Sequence, residues 1–368
     1  MSARVLVAMS GGVDSSVAAA LLREQGYEVV GIAMRLTPEG PRATTRRRTT
    51  CCSYEDFEDA RRVAERMDFP FYVIDLRADF AARVVGNFVS EYLGGRTPNP
   101  CVMCNREIKF DRLWSRARAL EADFVATGHY ARIERDADGA FHLKRAIDST
   151  KDQSYFLFTL GQSELARTLF PLGSMEKTEV RERARALGLR NADKPESQEI
   201  CFVPDGDYAS FVERAAPGEI RRGSIVTGDR HAIANHNGVH NFTVGQRRGL
   251  GIAAGTPLYV REIRAATGEV VVGSRDQLNS AGLIAEQVRM VDPAWFEPAR
   301  FDDGEITLEV KIRYRHPALP AKLRMLSGER AEVRFEHGGP AVTPGQACVF
   351  YRGDEVLGGG FIERAVEG

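Results

Sequence analysis

The stretch Val5-Leu6-Val7-Ala8-Met9-Ser10-Gly11-Gly12-Val13-Asp14-Ser15-Ser16 passes from an unbroken apolar run through a Ser/Gly turn into a helical pattern. Continuous apolarity over residues 5–9 is that of a central parallel strand buried on both faces. Val13, Val17, Ala18, Leu21 and Leu22 then recur at helical spacing and mark one buried face. Gly11 and Gly12 let the backbone turn sharply and bring its N–H groups close to a ligand, while Ser10, Asp14, Ser15 and Ser16 place oxygens at the helix start. Such a helix start, with unpaired N–H groups and the positive end of the dipole, accepts an anion. The spacing is neither G-x-x-x-x-G-K-[ST] nor G-x-G-x-x-G.

Outward from this turn, strand and helix patterns alternate. Residues 29–34 read as a second strand, 55–67 as a helix with Ser53 as N-cap, 71–75 as a strand and 77–93 as a helix. The basic stretch 38–50, with Arg42, Arg46, Arg47 and Arg48, reads as a surface excursion. Alternation of this kind predicts an α/β doubly wound parallel sheet, with ligands at the carboxyl ends of its strands. Thr97-Pro98-Asn99-Pro100 is expected to stop regular structure and present Cys101-Val102-Met103-Cys104-Asn105, followed by a helix over 107–120 and a strand over 124–127 that ends on Gly128-His129-Tyr130. A hairpin turns at Asp138-Gly139, Lys151-Asp152-Gln153-Ser154 follows, and Glu196 to Phe202 closes a first domain, 1–205. Beyond it lie a small α+β domain, 206–281, with one helix at 208–215, and five or six short strands over 282–368 that suggest a C-terminal β-barrel.

The 368 residues are 43% hydrophobic and 27% charged with net charge −1, so a nucleic-acid partner would need a local basic face. Lys311, Arg313, Arg315 and Lys322 around Tyr314 supply one, suited to phosphate contact plus stacking, or else form the outer face of a barrel strand. The strand beginning right after Met-Ser-Ala-Arg leaves no room for a signal peptide, and no apolar run approaches a membrane span, so a cytoplasmic protein is expected. Cysteines stand at 51, 52, 101, 104, 201 and 348 without disulfide-framework spacing, leaving catalysis, metal binding or burial as their uses. Cys101 and Cys104 could be half a zinc site, but no second C-x-x-C completes it; His231, His236 and His240 sit among Asn and Gly and read as loop rather than zinc ligands.

S-G-G-V-D-S resembles the loop of the N-type ATP pyrophosphatases. With P-N-P-C-V-M-C-N-R-E-I-K-F at 98–110, G-H-Y at 128–130, K-D-Q-S-Y-F-L at 151–157, S-Q-E-I-C-F at 197–202 and G-Q-R-R-G-L-G at 245–251, the chain is similar from end to end to the tRNA-specific 2-thiouridylases. The resemblance implies an adenine nucleotide alpha hydrolase-like fold, a tRNA-contacting central domain, and replacement of the wobble uridine's C2 oxygen by sulfur, with ATP and Mg2+ as cofactors. It also implies tRNA (lysine, glutamate and glutamine acceptors) and a cysteine desulfurase or sulfur-relay protein as partners.

Residue by residue, the resemblance implies that Cys201 carries a persulfide and Cys104 attacks its S–S bond, leaving a disulfide for later reduction. Ala8, Met9, Ser10, Gly11, Gly12, Val13, Asp14, Ser15, Met34 and Gly128 would touch ATP. Asn99, Pro100 and Cys101 would meet the target base, and His129, Lys151, Asp152, Gln153, Arg313, Tyr314 and Gln346 would touch tRNA. Many relatives carry aspartate where this chain has Cys101; an alternative is a [4Fe-4S] cluster held by Cys101, Cys104 and Cys201. Rival readings are an amide-forming or lysidine-forming pyrophosphatase, which needs no cysteine pair, and an RNA-binding protein with a vestigial loop.

Overall fold

The computed structural model describes residues 2–37, 54–195, 200–252, 255–296 and 303–367, which divide into two units. The basic stretch 38–50, Cys51, Cys52, Ser53 and residues 196–199 lie outside the described residues.

The first unit comprises Met1–Val84, Cys101–Gly206 and Asp354–Val356. Its strands are β1 (Arg4–Ala8), β2 (Glu28–Arg35), β3 (Phe71–Asp75), β4 (Phe124–Thr127), β5 (Ala131–Arg135), β6 (Phe141–Arg145) and β7 (Thr168–Leu169). A parallel sheet runs in the order β3-β2-β1-β4-β7, as the alternating pattern predicts. Val5, Leu6 and Val7 in its centre are fully buried, which is why that strand carries no polar alternation. Helix α1 (Val13–Glu24) packs Val17, Ala18 and Ala19 into the same core, and α2 (Tyr54–Arg66) adds Ala60, Val63 and Ala64. Strands β5 and β6 form the hairpin, extended by Glu355 and Val356 against Lys144 and Leu143.

Two helical expectations are corrected. The stretch 77–93 is not one regular helix but Arg77–Phe80, a π turn at Ala81–Val85, and Gly86–Leu93. The helix around the C-x-x-C motif begins at Pro100, not beyond Cys104: it runs Pro100–Cys104, passes through a π turn at Asn105–Phe110, and continues as Asp111–Ala119. Proline is at home at a first helical position, where its fixed φ suits the helix and its missing N–H would have no partner anyway. Cys101 and Cys104 therefore stand three residues apart on one helix.

The second unit comprises Val85–Pro100, Asp207–Gly353 and Leu357–Gly368. It holds the helix Tyr208–Ala215 and a four-stranded sheet of Gly223–Val226, Ala232–His236, Tyr259–Arg264 and Glu269–Gly273. His236 thus ends a strand rather than sitting in a loop; its Nε2–H donates to the Gly268 carbonyl at 2.9 Å and its Nδ1 accepts from the Gly238 N–H at 3.1 Å. Six further strands close on themselves: Ser280–Met290 pairs with both Arg330–Gly339 and Glu355–Val366. Val310, Leu323, Val333, Phe350 and Ile362 fill that barrel. No helix among the described residues is long and apolar enough to cross a membrane.

Candidate functional site

Where β1 ends, the chain makes a close turn fixed by its own serines. Gly12 is extended and Gly11 has φ +73°, a conformation that suits a residue without a side chain. The Ser15 hydroxyl donates to the Gly12 carbonyl at 3.2 Å and accepts from the Ser10 N–H at 3.1 Å; the Ser16 hydroxyl donates to the same carbonyl at 3.0 Å. A Cβ on Gly11 would lie 2.2 Å from the Asp56 carbonyl oxygen, and one on Gly128 2.7 Å from the Ser15 nitrogen. The turn is thus held between α2 and the end of β4. Ala8, Met9, Ser10, Gly11, Gly12, Val13, Asp14, Ser15 and Gly128 come together here, with Met34 near the end of the neighbouring strand β2. Ser10 remains exposed while Ser15 and Ser16 are buried.

Tyr130, from the G-H-Y motif, and three residues that local sequence did not mark brace this turn. Lys177, itself buried, places its Nζ 2.7 and 2.8 Å from the two oxygens of Asp14, and the Tyr130 hydroxyl donates to the same carboxylate at 2.8 Å. Asn191 donates from Nδ2 to the Gly11 carbonyl and to the Ser16 hydroxyl, each at 3.0 Å. Lys194 donates to Asp56 at 2.6 Å, Asp59 at 2.8 Å and the Gly11 carbonyl at 3.4 Å. Burial pulls the Lys194 pKa down, but its two carboxylate hydrogen bonds outweigh that and leave it above the ordinary lysine value.

The C-x-x-C helix turns Cys104 inward and Cys101 outward: Cys104 is 8% exposed and Cys101 is exposed. Asn105, the first residue of the π turn, donates from Nδ2 to the Phe156 carbonyl at 3.1 Å, and π turns inside helices often mark functional positions. Cys201 is half-buried just before Phe202, whose ring meets Phe80 edge-on at 5.6 Å. Cys101, Cys104 and Cys201 all belong to the first unit. Among the described residues no three His, Cys, Asp or Glu side chains gather closely enough to hold a metal ion.

Several residues expected at tRNA hold the protein's own backbone. Asp152 is buried, accepting from the Ala146 and Ser154 N–H groups and the Ser154 hydroxyl. The Gln153 Oε1 accepts from the Tyr130 N–H at 3.0 Å. His129 is half-buried; its Nδ1 bonds the Thr127 hydroxyl at 2.7 Å, and its ring stacks on Phe110. Burial, with Lys109 nearby, pushes the His129 pKa well below the ordinary histidine value, so this ring is neutral. In the second unit Arg313 donates to the Ala341 carbonyl at 3.0 Å and the Thr343 hydroxyl at 2.6 Å, while Lys311 lies over the Tyr314 ring at 5.4 Å. Gln346 donates to the Thr97 and Pro98 carbonyls, fixing the segment that carries Asn99 and Pro100.

Residues 3–205 match the tRNA methyl transferase HUP domain, 209–274 the tRNA methyl transferase PRC-barrel domain, and 285–362 the aminomethyltransferase beta-barrel domain. A tRNA-specific 2-thiouridylase of Geotalea uraniireducens is 53% identical over 370 residues, spanning 99% of this chain and 96% of its own. The namesake of Geobacter metallireducens is 52% identical, with 99% and 97% covered, and that of Solibacter usitatus 50%, with 98% and 99%. With the glycine turn at the end of β1 and the cysteines at 104 and 201 as its structural counterpart, the chain belongs to the tRNA-specific 2-thiouridylase family.

Proposed function

We propose that this protein is a tRNA-uridine 2-sulfurtransferase that uses ATP to replace the C2 oxygen of the wobble uridine by sulfur. The observation that carries the reading is the turn at residues 10–16, a helix start aimed from the end of a central parallel strand and braced by Lys177, Asn191 and Lys194, in a chain that also places Cys104 and Cys201 in the same unit. Methyl transfer, named in two of the matched domain descriptions, leaves Cys104 and Cys201 without an assigned use, whereas persulfide sulfur transfer uses both.

A pyrimidine carbonyl oxygen is a poor leaving group. The C2 oxygen therefore attacks the α-phosphorus of ATP and pyrophosphate departs, leaving an O-adenylyl uridine. The turn's N–H groups would stabilise the charge that develops on the phosphates, and Mg2+ bound with the nucleotide would add to that stabilisation. The terminal sulfur of a Cys201 persulfide attacks C2 and AMP leaves, giving a mixed disulfide between the base and Cys201. The Cys104 thiolate then attacks the Cys201 sulfur, releasing the 2-thio base and forming a 104–201 disulfide that an external thiol reduces. A desulfurase or relay protein supplies the persulfide sulfur. Residues 206–281 and the barrel form the RNA-handling modules, and the setting is cytoplasmic.

The test is tRNA-dependent pyrophosphate release by the purified protein. Release with ATP and tRNA, retained in Cys104→Ser and Cys201→Ser while thiolated product is lost, is expected. Thiolated product that persists without both cysteines would contradict sulfur transfer through the pair, and pyrophosphate release with no thiolated product from wild type supplied with a sulfur donor would turn the assignment toward a pyrophosphatase of another kind.

A further inference from the structure

Asp14 stands in the turn that the proposed function assigns to ATP, and both side chains that hold its carboxylate are tied to the loop assigned to tRNA. Tyr130, 2% exposed, donates its hydroxyl to Asp14 at 2.8 Å. Its main chain is bonded twice to Gln153: the Tyr130 N–H donates to the Gln153 Oε1 at 3.0 Å, and the Gln153 N–H donates to the Tyr130 carbonyl at 2.8 Å. Lys177 donates its ammonium to both oxygens of Asp14, and its main-chain N–H donates to the Asp148 Oδ2 at 3.0 Å. Asp148 in turn accepts from the Thr150 N–H and hydroxyl, and its carbonyl accepts from the Lys151 N–H. The two arms meet a second time, since the Lys177 Nζ lies 5.5 Å from the centre of the Tyr130 ring.

Residues 148–153 therefore form one turn whose two ends, Asp148 and Gln153, each grip a residue that grips Asp14. A displacement of this turn moves both donors of the carboxylate together, and a carboxylate at a helix start sets the local field on an anion bound there. We propose that Tyr130 and Lys177 are positioning residues that couple RNA engagement at Lys151–Gln153 to the setting of Asp14, so that ATP is cleaved efficiently only when tRNA occupies the loop. The inference rests on the ATP and tRNA assignments above. The uridine oxygen, as nucleophile, already makes productive ATP cleavage depend on tRNA; the coupling adds a means of suppressing loss of ATP to water when no uridine is present.

Coupling of this kind is read as a ratio of rates, and the linkage between Tyr130 and Gln153 by a double-mutant cycle. Pyrophosphate release is measured with ATP alone and with saturating tRNA, for the wild type, Tyr130→Phe, Gln153→Ala and the double variant. The expected result is that each single variant lowers the stimulated-to-basal ratio about tenfold, within the usual span of allosteric coupling, and that the double variant is no worse than the more affected single. The tRNA concentration giving half stimulation should stay within about twofold of wild type in Tyr130→Phe, because the hydroxyl touches Asp14 and not RNA. Asp148→Ala reads the second arm on a half-buried residue, keeping the test alive should the fully buried change not fold, and it too should lower the ratio. An unchanged ratio in Tyr130→Phe or in Asp148→Ala, or single effects that multiply in the double variant, would overturn the coupling. A wild type that releases no pyrophosphate with tRNA present would instead strike the ATP assignment beneath it, before any variant is compared.

Discussion

The side-chain amide of Gln346 donates to the main-chain carbonyl of Thr97 at 2.9 Å and to that of Pro98 at 3.2 Å. Two more contacts hold the same segment: the Thr97 N–H donates to the Pro344 carbonyl, and its hydroxyl to that of Thr243. A glutamine just ahead of the barrel strand Ala347–Arg352 thus fixes the stretch that leads directly into Pro100 and the C-x-x-C helix, which a contact to RNA alone would not require.

Gln346→Ala should therefore act on the reacting geometry more than on tRNA affinity. Misplacement of a reacting group by about 1 Å can cost on the order of 100-fold in rate, so a roughly tenfold fall in thiolation kcat is expected with tRNA KM little changed. Gln346→Glu, which replaces the donor by an acceptor facing two carbonyls, should do no better. Steady-state kinetics over a tRNA titration decides it: a raised KM with unaltered kcat would return Gln346 to a purely RNA-binding role.

Gly11→Ala separates strain from crowding. At Gly26, φ +87° and nothing lies within 4 Å of an added Cβ, so Gly26→Ala bears only the left-handed backbone cost, about 1–2 kcal/mol. At Gly11 the backbone conformation is similar, but the added carbon meets the main chain of Asp56. Urea unfolding should find Gly11→Ala the less stable of the two, with ATP binding lost as well; equal midpoints would mean that the turn gives way freely.

His129 makes the fold sensitive to acid. Its folded pKa lies well below 6.5 because of burial and Lys109, so as pH falls through about 6.5 the unfolded chain takes up a proton that the folded one refuses. Stability should drop over that window. His142 works the other way: hydrogen bonds to Glu355 and Asp136 raise its folded pKa, and its contribution is present at low pH and fades as pH rises through that raised value. His129→Gln should flatten the loss of unfolding free energy between pH 7 and pH 5.5 in urea titrations, and an unaltered slope would remove His129 as its source.

Cys348 should be chemically silent. Fully buried in the barrel, its thiol is pushed up to about 12, and the thiolate that alkylates is absent at ordinary pH. Iodoacetamide at pH 8 should leave Cys348 unmodified in the folded protein and modify it after denaturation, read by peptide mass spectrometry; modification without denaturation would show that the barrel opens.

The strand, turn and helix of residues 5–16 were legible because everything that shapes them is local: an apolar run, two glycines and a helical stripe. The braces were not, because Lys177 reaches Asp14 across 163 positions and Asn191 reaches Gly11 across 180. Nothing at Lys177 distinguishes it from any lysine at a helix start. Pro98-Asn99-Pro100 read as a stop signal, and the stop is real as far as Asn99; Pro100 instead opens a helix, which moves Cys101 and Cys104 onto one regular element. Asp152 and Gln153 stood out by resemblance alone, and only the fold shows that their side chains hold backbone.

The most direct test of sulfur transfer through the cysteine pair is nucleoside mass spectrometry of tRNA incubated with metal-free purified protein, ATP, Mg2+, a cysteine desulfurase and cysteine. The account predicts 2-thiouridine that requires ATP, survives Cys101→Ser at least in part, and disappears with Cys104→Ser or Cys201→Ser. Product that forms only after reconstitution with iron and sulfide and vanishes with Cys101→Ser, or that forms without Cys201, would contradict it.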